Sequence, residues 1–437
     1  MKENMKVASM TKAMMTAGKT MLAVAAAVVA TTLVACSSDD EKNPVVDPNT
    51  DNELRFVSLT RAQQEMVKHS NDFSFNLLRQ AMASGELKGK SLILSPISVT
   101  YALGMLNNGA TGETQQQINQ VLGFGETGAA GINDFCHKML TEATALDKLT
   151  KMMIANTIFM NKDYQLKPTF VEMARQYYEA TPETRNFKDG KTRNVINKWG
   201  SDHTEGMIKE VLTESEFNPE AVSYLLNAIY FKGTWTEKFD KAKTKQQAFT
   251  RSDGTRQQLP MMSMEHEFNY VDTERYQAVR LPYGNGAYSM TVLLPHEGQT
   301  VDDVLAALAT SSWSNYLGEP AIVDLKLPRF ETDTNVNLKA LMQQLGLTKA
   351  FTEYAEFPDF CNKATYIDMM KQVARIKLDE AGTEAAAVTV IGMETTSMPE
   401  PAEPRRVTFH ATHPFLYVIS EQSTGAIFFV GAYFGEE

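Results

Sequence analysis

Residues able to do chemistry are plentiful in this 437-residue chain, but few stand at a spacing that would let them act together. A nucleophilic serine on a strand-to-helix elbow needs G-x-S-x-G, and a helical zinc protease site needs H-E-x-x-H. Neither run occurs. Gly85-Glu86-Leu87-Lys88-Gly89-Lys90-Ser91 comes close to a phosphate loop. Its glycines are separated by three residues where the motif needs four, and a helical pattern precedes it, so the backbone cradle would not form. It reads as a surface turn. His410 and His413 stand three apart in an apparent strand, which points them to opposite faces. The other histidines show no ligand spacing. Three cysteines, Cys36, Cys136 and Cys361, cannot all pair and fit no zinc pattern. The last two read as small buried apolar residues. The expectation is a protein that is not an enzyme and takes no metal and no cofactor.

The unusual stretch is Lys377 to Arg406. Asp379-Glu380-Ala381-Gly382-Thr383-Glu384 leads into Ala385-Ala386-Ala387-Val388-Thr389-Val390-Ile391, and Gly392 to Glu403 is polar, methionine-bearing and proline-rich. Small residues and β-formers suggest a buried strand, whereas the proline-rich end suggests an exposed loop. Such a conflict between levels marks function. A segment that lives in two states would resolve it. As a strand, it would turn Thr383, Ala385, Ala387, Thr389 and Ile391 to one face and Glu384 to the other.

The elements around that stretch are readable. Leu59 to Ala83 has the helical period, and Ser91 to Leu94 is a short apolar strand. Ser95-Pro96 opens a second helix, with Ser95 as N-cap and Pro96 in the first turn. Another helix runs from Thr114 to Leu122, and Leu338 to Leu345 forms one stopped by Gly346. Met152 to Met160, Val222 to Phe231 and Ile322 to Leu327 read as strands. Gln277 to Leu281 and Ala287 to Leu294 flank a Tyr283-Gly284-Asn285-Gly286 turn, and Phe415 to Ser420 with Ala426 to Tyr433 closes the chain as a hairpin. Helices early and strands late mean α+β with antiparallel sheets.

Composition bounds the rest. A hydrophobic share of 43% supports a sizeable core, and a net charge of −11 with no basic stripe argues against nucleic acid. Lys2, Lys6, Lys12 and Lys19 precede an uncharged apolar run from Met21 to Ala35, too short for a comfortable membrane span. That run ends Leu33-Val34-Ala35-Cys36, which looks like a lipobox, the bacterial signal for lipidating the cysteine and cutting before it. Ser37-Ser38-Asp39-Asp40-Glu41 then resembles the surface-export signal of Bacteroides-type lipoproteins. The expected division is a signal peptide over 1–35, lipidated Cys36 with a polar tether over 36–55, and one domain over 56–437. Losing residues 1–35 takes away four lysines and one glutamate and leaves a charge of −14. The expected place is the bacterial outer membrane, facing the cell surface or the periplasm.

Several blocks together resemble the serpin family. They are Ser95-Pro96-Ile97-Ser98, Ala102-Leu103-Gly104-Met105, Gly109-Ala110-Thr111-Gly112-Glu113-Thr114, Asn227 to Trp235, Leu327-Pro328-Arg329-Phe330 and His413-Pro414-Phe415, in the family's order from Phe56 onward. The resemblance implies a serpin fold with an exposed reactive loop. It implies a monomeric suicide inhibitor of serine proteases, extending to papain-like cysteine proteases. A non-inhibitory binding protein on the same fold is the alternative.

The resemblance also assigns residues. Glu380, Gly382, Thr383, Glu384, Ala385, Ala386 and Ala387 match the hinge. Ser95, Ser98 and Asn227 match the shutter, where Gln372 stands in place of the usual histidine. Trp235, Arg329 and Glu380 match the breach, with an ion pair expected between Arg329 and Glu380. Counting from the hinge places the bait bond at Thr396–Ser397, with Met393, Thr395 and Met398 as secondary positions. Counting back from Phe409 places it near Glu400, so the two counts disagree. These residue types imply elastase-, subtilisin- or chymotrypsin-like targets.

Overall fold

Apolar residues at helical spacing, fixed by caps, decide where the helices begin. In the computed structural model, which describes residues 52–125, 127–308, 313, 318–383 and 405–436, helix α1 spans Arg61–Ala83. Thr60 caps it, accepting from the Gln63 N–H while the Gln63 side chain takes the Thr60 N–H. This reciprocal box moves the start two residues past the expected Leu59. Helix α2 (Pro96–Asn107) is buried at every position, as an all-round apolar helix must be. It is followed by α3 (Gly112–Leu122), α4 (Ala129–Thr141), α5 (Pro168–Tyr178), α6 (Lys191–Asp202), α7 (Val301–Leu308) and α8 (Lys339–Gln344). Gly85 to Lys90 forms turns, as its near-miss motif suggested.

The strands build two sheets. They are β1 (Leu92–Leu94), β2 (Thr150–Asn161), β3 (Glu183–Arg185), β4 (Ser223–Thr234), β5 (Lys245–Thr250), β6 (Arg256–Asp272), β7 (Tyr276–Tyr283), β8 (Tyr288–Pro295), β9 (Glu319–Pro328), β10 (Phe330–Asn337), β11 (Met369–Asp379), β12 (Gly382–Thr383), β13 (Arg406–His410), β14 (Phe415–Glu421) and β15 (Ile427–Tyr433). The six-stranded sheet has the order β10-β11-β12-β4-β2-β3. The nine-stranded sheet runs β1-β15-β14-β8-β7-β6-β9-β13, with β5 beside β6. Helix α2 packs against β2 and β4 of the smaller sheet and against β15 of the larger, so the main core lies between the sheets.

Pairing is mainly antiparallel, but β4–β11, β2–β3 and β9–β13 are parallel. The purely antiparallel expectation therefore needs correcting. Strands β4 and β11 are joined by long stretches of intervening chain rather than a hairpin, and β4 is buried almost throughout, as parallel strands usually are. Strand β13 also ends at His410, leaving His413 beyond it. His410 pairs with Asp324 at 2.9 Å, and burial lowers the pKa of His413.

The described residues from Asn52 onward form one compact unit. Asn52 is buried and donates to Asp147 at 2.6 Å, while Arg55 reaches the Ala145 carbonyl. Residues 52–55, expected as tether, thus belong to the folded body because Asp147 and the backbone beside it recruit them. The targeting segment, Cys36 and the preceding part of the tether lie outside the described residues.

Candidate functional site

Strands β4 and β11 lie at the centre of the smaller sheet. They run parallel through seven pairs, Tyr224–Tyr230 against Met369–Arg375. Past Arg375 they part, and β12 fills the gap. Gly382 and Thr383 pair antiparallel with Asp379 and Leu378 on one side and with Thr234 and Gly233 on the other. The chain after β11 has therefore turned back and begun a new strand inside the sheet. Thr383 is fully buried, and its hydroxyl is 2.8 Å from that of Tyr283.

The turn that makes this reversal is held by its own residues and by the ends of β4. The Asp379 carboxylate accepts the Ala381 N–H at 2.8 Å, and the Trp235 indole donates to the Asp379 carbonyl at 3.0 Å. The Trp235 N–H donates to Ala381 and the Phe239 N–H to Glu380. Trp235 stacks on Tyr283, with ring centroids 4.3 Å apart. Gly382 has φ +145°, and a Cβ there would lie 2.1 Å from the Gly233 carbonyl oxygen. No other residue fits between the strands in this backbone.

Glu380 is buried and forms the expected ion pair with Arg329 at 2.5 Å. The Thr244 hydroxyl donates to the same carboxylate at 2.6 Å. Burial pushes the Glu380 pKa up, but the bonds from Arg329 and Thr244 outweigh it and hold the group below its ordinary value.

Halfway along the seam, one network spans α2, β2, β4 and β11. The Gln372 amide donates to the Asn227 side-chain oxygen at 2.7 Å and to the Ser95 carbonyl at 2.9 Å, and accepts the Ser95 N–H at 3.0 Å. Asn227 donates to Asn156 at 2.8 Å and to the Ser98 hydroxyl. All five residues are buried. Ser95 takes part through its backbone: its hydroxyl is buried with no partner among the described residues and makes no capping bond. The amide of Gln372 occupies both main-chain groups of Ser95. The network contains no titratable group.

The remaining assigned positions, Glu384, Ala385, Ala386, Ala387, Met393, Thr395, Thr396, Ser397 and Met398, lie outside the described residues. Cys136 and Cys361 are free and buried, and burial pushes the Cys136 thiol up to about 12.

The sequence pattern of the family described as Serpin (serine protease inhibitor) matches residues 68–435. The chain belongs to the serpin family. Human Serpin B3 is 30% identical over 83% of this chain and 97% of its own length, and human neuroserpin is 28% identical over 82% and 89%. Among solved structures, the native thermophilic serpin tengpin aligns with a TM-score of 0.77 at 26% identity, covering 88% of this chain and 97% of tengpin. Thyroxine-binding globulin in complex with thyroxine aligns with a TM-score of 0.75 at 27% identity, covering 85% and 99%. Serpins are generally protease inhibitors, and the thyroxine-binding globulin shows that the fold also has non-inhibitory members.

Sequence reasoning missed Asn156, Thr244 and Tyr283. Asn156 had a signal: like Asn227, it is a lone amide in an apolar strand, Met152-Met153-Ile154-Ala155-Asn156-Thr157-Ile158. Tyr283 read as a turn residue and nothing local marked Thr244, because their partners, Thr383 and Glu380, are distant in sequence.

Proposed function

We propose that this serpin inhibits proteases as a suicide substrate, displayed from a lipid on Cys36 at the bacterial outer membrane. The observation that carries the reading is β12: the smaller sheet already accepts the first two residues of the segment after the hinge turn. A target protease attacks the segment downstream and forms an acyl-enzyme. The freed segment then continues β12 along the seam. Each residue added exchanges part of a parallel ladder for pairing with both β4 and β11, antiparallel on each side. From Gly382 to Thr396 such a strand is roughly 45 Å long, comparable to the domain itself. The protease, still esterified, is carried the length of the molecule. A displacement of about 1 Å among its catalytic groups can cost about 100-fold in rate, so deacylation stalls.

The residue types support insertion. Between Gly382 and Ile391 the inward positions carry no charge and no proline. Thr396–Ser397 is the favoured bait bond, since insertion length sets the trap and Pro399, Pro401 and Pro404 make later bonds poor substrates. Thr396 and its neighbours suit elastase-, subtilisin- or chymotrypsin-like enzymes, with papain-like ones as a further class. A non-inhibitory binding protein on the same fold is the alternative; this alanine-rich hinge favours the inhibitor.

Incubation with elastase, subtilisin, chymotrypsin and a papain-like protease tests the reading. The expected result is an SDS-resistant covalent complex, cleavage at Thr396–Ser397 and a higher melting temperature after cleavage. Clean cleavage across the panel, with no complex and no thermal gain, would sink it. Recovery of the protein in membranes, lost in Cys36→Ala, checks the anchor.

A further inference from the structure

The outer face of the seam carries a second device, distinct from the network on the inner face. Lys371 on β11 lies opposite Leu226 of β4, immediately before Gln372. Its side chain is fully buried, and its ammonium is paired with Glu216. The second oxygen of Glu216 accepts the Thr213 N–H and hydroxyl, both at 2.9 Å. Glu216 belongs to the segment 203–222 between α6 and β4. That segment covers the sheet: Ile208, Val211 and Leu212 pack with Tyr224, Leu226 and Ala228 of β4 and Val373 of β11. Asn197 of α6 ties it down through bonds to Val211 and Leu212.

The connectivity makes this pair unusual. The covering segment runs directly into β4 at Ser223, so Glu216 is carried by the chain of one strand of the seam and Lys371 by the other. A second contact crosses at the same end. Asp368, next to the start of β11, accepts the Val222 N–H at 2.5 Å and the Ser223 N–H at 3.1 Å, next to the start of β4. Opening the seam to admit one strand moves β4 and β11 apart by about 4.8 Å. A Lys–Glu contact cannot span that added distance unless the cover slides with β11.

We propose that Lys371 and Glu216 form a strap across the β4–β11 seam, and that its release sets the rate at which the inserting strand passes the middle of the sheet. This rests on the insertion reading above. Continuing the registers of β12, Val390 would enter between Lys371 and Leu226, and Met393 would meet Asp368 and Ser223. The strap thus holds shut the far part of the path, while β12 leaves the near part open. Lys371 and Glu216 are positioning residues, acting through the strands they join.

Glu216→Gln and Lys371→Met test the strap alone and together. A buried ammonium without its partner destabilises, whereas removal of both charges is tolerated far better. Each single variant is expected to insert its loop faster by on the order of tenfold, the factor for one lost ion pair of modest strength. Insertion is read as conversion of uncleaved protein to a heat-stable form on warming, and as more protease trapped per inhibitor cleaved. The double variant should regain the wild-type urea midpoint yet still insert fast. A double variant that inserts at the wild-type rate overturns the strap, as do rates that simply follow the urea midpoints of all three. Should wild-type protein gain no stability on loop cleavage, the inhibitor reading fails instead. Amide exchange then decides the strap: the double variant should exchange faster than wild type at Leu226 and Lys371, and unchanged exchange overturns it.

Discussion

Gly382 lets the chain re-enter the sheet because its φ of +145°, and the 2.1 Å that would separate a Cβ there from the Gly233 carbonyl oxygen, both exclude a side chain. Gly382→Ala should therefore expel β12, costing roughly 1–3 kcal/mol from backbone conformation and displaced pairing. A lowered melting temperature with faster amide exchange at Thr383 is the expected result; unchanged exchange would refute it. Glu380 gives a prediction in pH. Its folded pKa lies below the ordinary carboxyl value because the bonds from Arg329 and Thr244 outweigh burial. Stability from this group is then fully present above about pH 4.3, and is lost as pH falls through the lower folded value. Melting curves of wild type and Glu380→Gln should differ at neutral pH and converge in acid. A gap that stays constant to pH 2 would contradict this.

At the scale of elements, the network around Asn227 and Gln372 joins a helix to three strands through amides, hydroxyls and backbone groups that do not titrate. Gln372→Leu would strand the Asn227 oxygen and the Ser95 N–H, while the Ser95 carbonyl keeps the Val99 N–H, at about 1–3 kcal/mol for each group left unpaired. The expected outcome is a large drop in melting temperature with polymerisation on mild heating, scored by native gel electrophoresis. Gln372→His should introduce a dependence of loop insertion on pH near 6.5 that the wild type lacks; flat profiles for both proteins would count against the assignment. Much of this arrangement was legible in the sequence. Asn227 and Gln372 were named only through the resemblance to serpin blocks, whereas the hinge stood out by its clash of strand and loop features. Strand β10 was not legible, because two of its four inward positions are Thr332 and Thr334, which blur the alternation. Helix α6 was hidden for a related reason: its buried residues are Thr192, Ile196 and Gly200, only one of them strongly apolar. The parallel pairing of β4 with β11 could not be read either, since periodicity reports which faces are buried and not which strand lies alongside.

For the whole molecule, the two central strands are held at three levels: a hinge wedged between them at one end, a neutral network in the middle, and charged contacts from the covering segment towards the other end. Cutting the loop should raise the melting temperature of the entire domain, because the sheet gains a strand without losing its core. A sheet that is completed by the chain's own severed segment can be completed once. Protection by such a protein is therefore a matter of stock rather than speed. On the suicide-substrate proposal each molecule would remove one protease and be spent, so the defence of a cell surface would end abruptly when the attacking protease outnumbers the copies displayed, and would recover only as fast as new chains are made.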